Sequence, residues 1–175
     1  MSLIISSSLR QQHWLKLSPM PSSLLPRKFS SWLLDKGSLT LRLKNLAPGS
    51  FSVKLLYTGF ARASVSEASA LNINFREQVY IREVALCIGN KPYVFARSVI
   101  PRSTLTGIER QLLWLREKPL GEFLFTHKNM SRGAIEVKQG EVNTRTSWAR
   151  RSIFTVNDKP LLVSEYFLPE LLVVK

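Results

Sequence analysis

Two stretches of this chain repeat one another at a constant spacing, and that repeat constrains the fold more than any other feature. The first runs from Tyr80-Ile81-Arg82 through Gly89-Asn90-Lys91-Pro92 to Arg97 and Pro101. The second runs from Ala149-Arg150-Arg151 through Asn157-Asp158-Lys159-Pro160 to Glu165 and Pro169. Each reads as strand, tight turn and strand, because Gly, Asn and Asp tolerate the positive φ that two-residue hairpin turns demand. Gly89-Asn90 suits a type II′ turn and Asn157-Asp158 a type I′ turn. Phe51, Val53, Leu55 and Tyr57 fall at every second position, the mark of a half-buried strand. A chain built from hairpins makes an antiparallel sheet.

The remaining pattern supplies helices to cover it. Pro26 opens a helix that puts Phe29, Trp32, Leu33 and Leu34 on one side and stops near Gly37. Ser38 caps a second, Leu39 to Leu46, which ends before the Pro48-Gly49 turn. Residues 61–78 read as a polar loop. A further helix spans Gly107 to Glu117, with Thr106 and Glu109 at capping-box spacing and Pro119 closing it. Phe123 to Phe125 follow, then a strand-like Ala134 to Val137. The expected architecture is α+β: about six antiparallel strands covered by helices, one domain over residues 1–175.

Composition narrows the class. An apolar content of 45% fills one core at this length. No run reaches the roughly 18 apolar residues that span a bilayer, and Leu3 to Ile5 gives way to serines too early for a secretory signal. A single cysteine, Cys87, suits a reducing compartment, so a cytoplasmic protein without stable membrane insertion is expected. The formal charge of +13 concentrates anions of any kind: nucleic acid, acidic membrane or a small polyanion. A phosphate loop, C-x-x-C and H-E-x-x-H are all missing from the sequence, and His13 and His127 are its only histidines, so no metal or cofactor is expected. Cys87 lies among Val84, Ala85, Leu86 and Ile88 and reads as a buried structural thiol.

Charge on apolar strand faces is the informative anomaly. With Gly89-Asn90 as the turn, Arg82 and Arg97 oppose one another on the face of Val84, Leu86, Tyr93 and Phe95. Directly opposed like charges destabilise a sheet by up to about 1 kcal/mol, and an anion between them removes that cost. With Asn157-Asp158 as the turn, Arg150 opposes Glu165 on a face shared with Phe154 and Val163. Either Arg82 closes an internal network with Glu83 or Glu165, or the arginines and the carboxylate converge on a pocket for a small aromatic or cyclic acid.

At these residues the chain resembles the chorismate pyruvate-lyase family of ubiquinone biosynthesis. The resemblance covers about Ser31 to Pro169 and is densest in Tyr-Ile-Arg-Glu-Val-Ala-Leu-Cys at 80–87 and Ala-Arg-Ser-Val-Ile-Pro at 96–101. Lys-Pro-Leu-Gly-Glu-Phe-Leu-Phe at 118–125 and Lys-Pro-Leu-Leu-Val-Ser-Glu-Tyr-Phe-Leu-Pro at 159–169 complete it. The resemblance implies a monomer with a buried pocket closed by helical flaps, converting chorismate to 4-hydroxybenzoate and pyruvate without a cofactor. It assigns the ring carboxylate to Arg82 and the amide of Leu120, and the ring hydroxyl to Glu165, which also serves as acid or base. Arg97 joins the pocket as a catalytic residue, toward the enolpyruvyl carboxylate or the developing oxyanion. Leu39 stands where the family's flap carries methionine, and Ala96 where glycine is frequent. Two other functions compete with this one: a non-catalytic sensor of small aromatic acids on the same fold, and a basic nucleic-acid-binding protein.

Overall fold

The computed structural model describes residues 13–17, 25–142 and 145–173. Its strands are β1 (Leu15–Lys16), β2 (Phe51–Arg62), β3 (Gln78–Ile88), β4 (Lys91–Ile100), β5 (Met130–Arg132), β6 (Glu136–Val142), β7 (Arg145–Val156) and β8 (Lys159–Phe167). They form one antiparallel sheet in the order β1-β6-β7-β8-β4-β3-β2, with β5 added to β7. The architecture is α+β, as expected. The two strands beyond the expected six are β1 and β5, of two and three residues, too short to carry an alternating pattern.

Both hairpin turns follow from their residues. Asn157 and Asp158 have φ of 48° and 62°, the two left-handed positions of a type I′ turn, and Gly89 at 57° opens the other. The second hairpin keeps the expected register, with Arg150 opposite Glu165. The first does not. Ile88 pairs with Lys91 and Cys87 with Pro92, but Leu86 then pairs with Val94, so Tyr93 is the extra residue of a β-bulge. The Tyr93 carbonyl accepts from the Leu168 amide instead. Beyond the bulge Arg82 lies opposite Ser98 and Glu83 opposite Arg97. A one-residue slip exchanges the faces of a strand, so the expected opposition of Arg82 and Arg97 is corrected: they point to opposite sides of the sheet.

The helices are α1 (Arg27–Leu33), α2 (Leu39–Leu46), α3 (Val65–Leu71) and α4 (Leu120–Thr126), with 3-10 turns at Gly107–Trp114 and Pro169–Val173. Ser38 caps α2 through a hydrogen bond from the Leu41 amide. The expected loop over 61–78 contains α3, fixed by a capping box in which Ser64 and Glu67 satisfy each other's backbone amides. The Gly107 segment is a 3-10 helix in place of the expected α-helix. Thr106 makes no side-chain cap there, because Glu109 turns inward to Lys159 and Asn157.

One face of the sheet carries two apolar clusters. The first gathers Leu33, Leu43, Val137 and Phe167, the second Tyr80, Ile100, Leu112 and Leu161. Burying each such side chain stabilises the fold by about 1.5–3 kcal/mol. The other face packs α3 on Val79, Ile81, Val99 and Leu162.

Candidate active site

A cavity opens where the two clusters meet. Its floor is the sheet: Arg82 and Val84 from β3, Ala96 and Ser98 from β4, Val163 and Glu165 from β8. Its roof is helical, with Leu39 and Thr40 from α2 and Leu120, Gly121 and Leu124 from α4. The cavity volume is about 50 Å³, whereas an apolar cavity of roughly 150 Å³ is known to take a benzene ring. With the roof in this position the cavity is smaller than a ring requires. The two roof helices touch directly, because a Cβ on Gly121 would lie 3.0 Å from Thr40 Oγ1 and 3.2 Å from Ser38 Oγ. On the outside, Lys44 of α2 pairs with Glu122 of α4.

Arg82 is 2% exposed, and no carboxylate among the described residues pairs with it. Its Nη2 donates to the carbonyls of Arg116 and Lys118, both at 2.8 Å. Arg116 sits at φ 46°, a left-handed conformation uncommon outside glycine, in the segment that aims these carbonyls inward. Arg82 Nε is buried without a partner. Burial pushes the guanidinium below its usual value. An unpaired buried donor of this kind costs about 1–3 kcal/mol, which an acceptor for the Nε hydrogen would recover.

Glu165 is held by Arg150 Nε, whose Nη1 reaches the carbonyls of Trp32 and Asp35 at 2.7 and 2.5 Å. One buried cation therefore ties the carboxylate to the start of the roof. Asp35 itself is kept below the usual carboxylate range: burial acts upward, but hydrogen bonds from Gly37 and Arg42 and the Arg150 charge outweigh it. Arg132 also lines the cavity, donating to Ser152 Oγ at 3.1 Å and stacking 5.0 Å from the Phe154 ring. Burial and the Arg150 charge lower its pKa from the usual value. Leu120 begins α4 behind Pro119, whose side chain provides no cap, and the first amides of a helix lack intrahelical acceptors.

With this geometry in place, the sequence decides the family: residues 8–174 match the one described as chorismate lyase. The chain belongs to the chorismate lyase family. It is 36% identical to the probable chorismate pyruvate-lyase of Methylococcus capsulatus, covering 82% of this chain and 96% of that one. To that of Pseudomonas aeruginosa strain UCBPP-PA14 it is 39% identical, covering 90% and 92%. The effector domain of PhnF from Mycobacterium smegmatis is similar in fold alone, with a TM-score of 0.55 at 12% identity over 77% of this chain and 90% of that one.

Of the residues that resemblance to chorismate lyases singled out, Leu39, Arg82, Leu120 and Glu165 line the one cavity. Arg97 does not. It lies on the other face, with Nε 2.7 Å from Glu67 and Nη1 2.7 Å from Glu83. Burial acts to lower its pKa, but the two carboxylates raise it above its usual value. The closed network foreseen for Arg82 is likewise corrected, since Glu83 pairs with Arg97 and Glu165 with Arg150. Cys87 is buried behind the sheet, where burial pushes the thiol up and away from a nucleophilic thiolate. Sequence reasoning missed Arg132 and Ser98. β5 is too short to show a period, and Ser98 enters the pocket only through the bulge at Tyr93.

Proposed function

We propose that the protein converts chorismate to 4-hydroxybenzoate and pyruvate, a carbon–oxygen lyase acting as a monomer in the cytoplasm at the first step of ubiquinone ring synthesis. The observation that carries this is Arg82: a buried guanidinium that no carboxylate among the described residues pairs, lining a largely apolar cavity, fits a small aromatic acid. Arg82 and the Leu120 amide hold the ring carboxylate. Glu165 faces the ring hydroxyl. Arg132 takes the enolpyruvyl carboxylate, the role foreseen for Arg97.

The chemistry asks little of the protein beyond placement. The ring carbon bearing the hydroxyl loses its hydrogen as a proton, and the electron pair of that C–H bond completes the aromatic ring. The neighbouring C–O bond breaks, and its electrons leave with enolpyruvate. A proton returns to the enolpyruvate methylene carbon, giving pyruvate. Aromatisation drives the reaction. The site contributes orientation and fixed positive charge beside the departing enolate, with Glu165 placed to relay the proton.

The test is incubation of pure protein with chorismate, following 4-hydroxybenzoate by absorbance. Formation of both products supports the proposal. Tight binding of 4-hydroxybenzoate without turnover would instead make the protein a sensor of aromatic acids.

A further inference from the structure

The 3-10 helix at Gly107–Trp114 repeats every three residues, so its side chains form three rows. Glu109, Leu112 and the following Leu115 are buried at 1%, 0% and 7%. Ile108, Gln111 and Trp114 make the opposite row, and Ile108 is 52% and Trp114 71% exposed. Phe60 of β2, 45% exposed, joins them through Tyr80: its ring packs 5.5 Å from the Tyr80 ring, and the Tyr80 hydroxyl donates to Leu113 O. Arg102 lies 4.5 Å over Phe60, and Arg110, Arg116 and Lys118, within four residues of Trp114 along the chain, are exposed. Glu109 is neutralised by Lys159, which leaves Glu117 as the one exposed acid between Arg102 and Lys118.

From this arrangement we infer that the protein docks peripherally on an anionic lipid bilayer through Ile108 and Trp114, with Arg102, Arg110, Arg116 and Lys118 on the headgroups. The apolar side chains protrude as a wedge, and a wedge of tryptophan and isoleucine ringed by arginine matches the membrane interface. A nucleic acid offers isoleucine no stacking partner. No helix of the described residues is long and apolar enough to cross a membrane, so the contact is interfacial. The docked segment leads directly into the carbonyls of Arg116 and Lys118 that hold Arg82, which places the pocket next to the lipid surface.

The experiment is co-sedimentation of the full chain with vesicles of phosphatidylcholine alone and of phosphatidylcholine with phosphatidylglycerol. Binding to the anionic vesicles alone is expected, weakening as salt is raised. Arg110→Gln should weaken it about five-fold. The double variant Ile108→Ser/Trp114→Ser should weaken it at least about ten-fold, while Leu41→Ser, an exposed leucine of α2, changes nothing. Near-ultraviolet circular dichroism checks the fold, and Trp114→Gln alone replaces the double variant if that one unfolds. Failure to bind phosphatidylglycerol vesicles overturns the inference. So does wild-type binding by the Ile108/Trp114 variant, which would make the attraction one of diffuse charge. Equal loss of binding to a duplex oligonucleotide in that variant would assign the patch to nucleic acid and also overturn it.

Discussion

Arg82 and Arg97 stand on adjacent strands and point to opposite faces of the sheet, separated by the bulge at Tyr93. Their substitutions should therefore part cleanly. Under the proposed function Arg82→Ala removes the charged partner of a desolvated carboxylate and should weaken 4-hydroxybenzoate binding by about 2–5 kcal/mol. Arg97→Ala should leave that affinity within about two-fold and lower stability instead. Calorimetric titration beside urea unfolding measures both, and equal loss of affinity would refute the division.

Arg132→Ala separates the two carboxylates of chorismate. 4-Hydroxybenzoate, the product under the proposed reaction, lacks the enolpyruvyl acid, so its affinity should hardly change, while kcat falls about 100-fold, as for loss of one preorganised donor. Parallel loss of both would place Arg132 at the ring carboxylate.

Arg150→Ala should be costly although no direct ligand role is assigned to Arg150. It strips the partner from Glu165 and releases the carbonyls of Trp32 and Asp35. Breaking a buried pair from one side typically costs about 3–5 kcal/mol. Arg150→Met, which keeps volume, should restore little, because the carboxylate stays buried and unpaired. Thermal and urea unfolding test this.

The Glu67–Arg97 pair predicts a pH dependence. Burial raises the Glu67 pKa, but hydrogen bonds and charge from Arg97, with the Ser64 cap, hold it below its ordinary 4.5. A carboxylate depressed on folding contributes stability above its unfolded pKa and loses it as pH falls through the folded one. Glu67→Gln leaves Arg97 paired with Glu83, so it should destabilise the protein by about 1–2 kcal/mol near neutrality and by much less in acid below both values. Urea midpoints at the two pH values decide it, and a constant difference would contradict the linkage.

Gly121→Val should force the roof helices apart, since even a Cβ meets Thr40 and Ser38. Overpacking of this kind costs about 1–3 kcal/mol. The expected outcome is faster release of 4-hydroxybenzoate in stopped flow, with the urea midpoint lowered to match that cost.

The sequence was most legible where local chemistry alone decides the structure. Asn157-Asp158 dictated its turn, and that turn dictated the pairing of Arg150 with Glu165. Ser38 marked its helix. The errors arose where tertiary contacts override local pattern. Pro160 of β8 keeps register, while Pro92, its counterpart in β4, is followed by a bulge whose carbonyl serves Leu168, far along the chain. No local signal distinguishes the two, so Arg97 was assigned to the wrong face. The capping box of Ser64 and Glu67 was readable but lay in a stretch too polar to suggest a helix. Arg132 belongs to a three-residue strand, too short to alternate, whose ladder partner among the described residues is β7.

The tight roof has a thermal consequence. Opening it wets Leu39, Leu120 and Leu124, which are 5%, 7% and 2% exposed when it is shut. Exposing apolar surface raises heat capacity. Opening should then carry a positive activation heat capacity, and the rate of ligand exchange should follow a curved Eyring plot. How fast the protein exchanges its ligand is set less by the charges that choose the ligand than by three leucines that water touches only in passing.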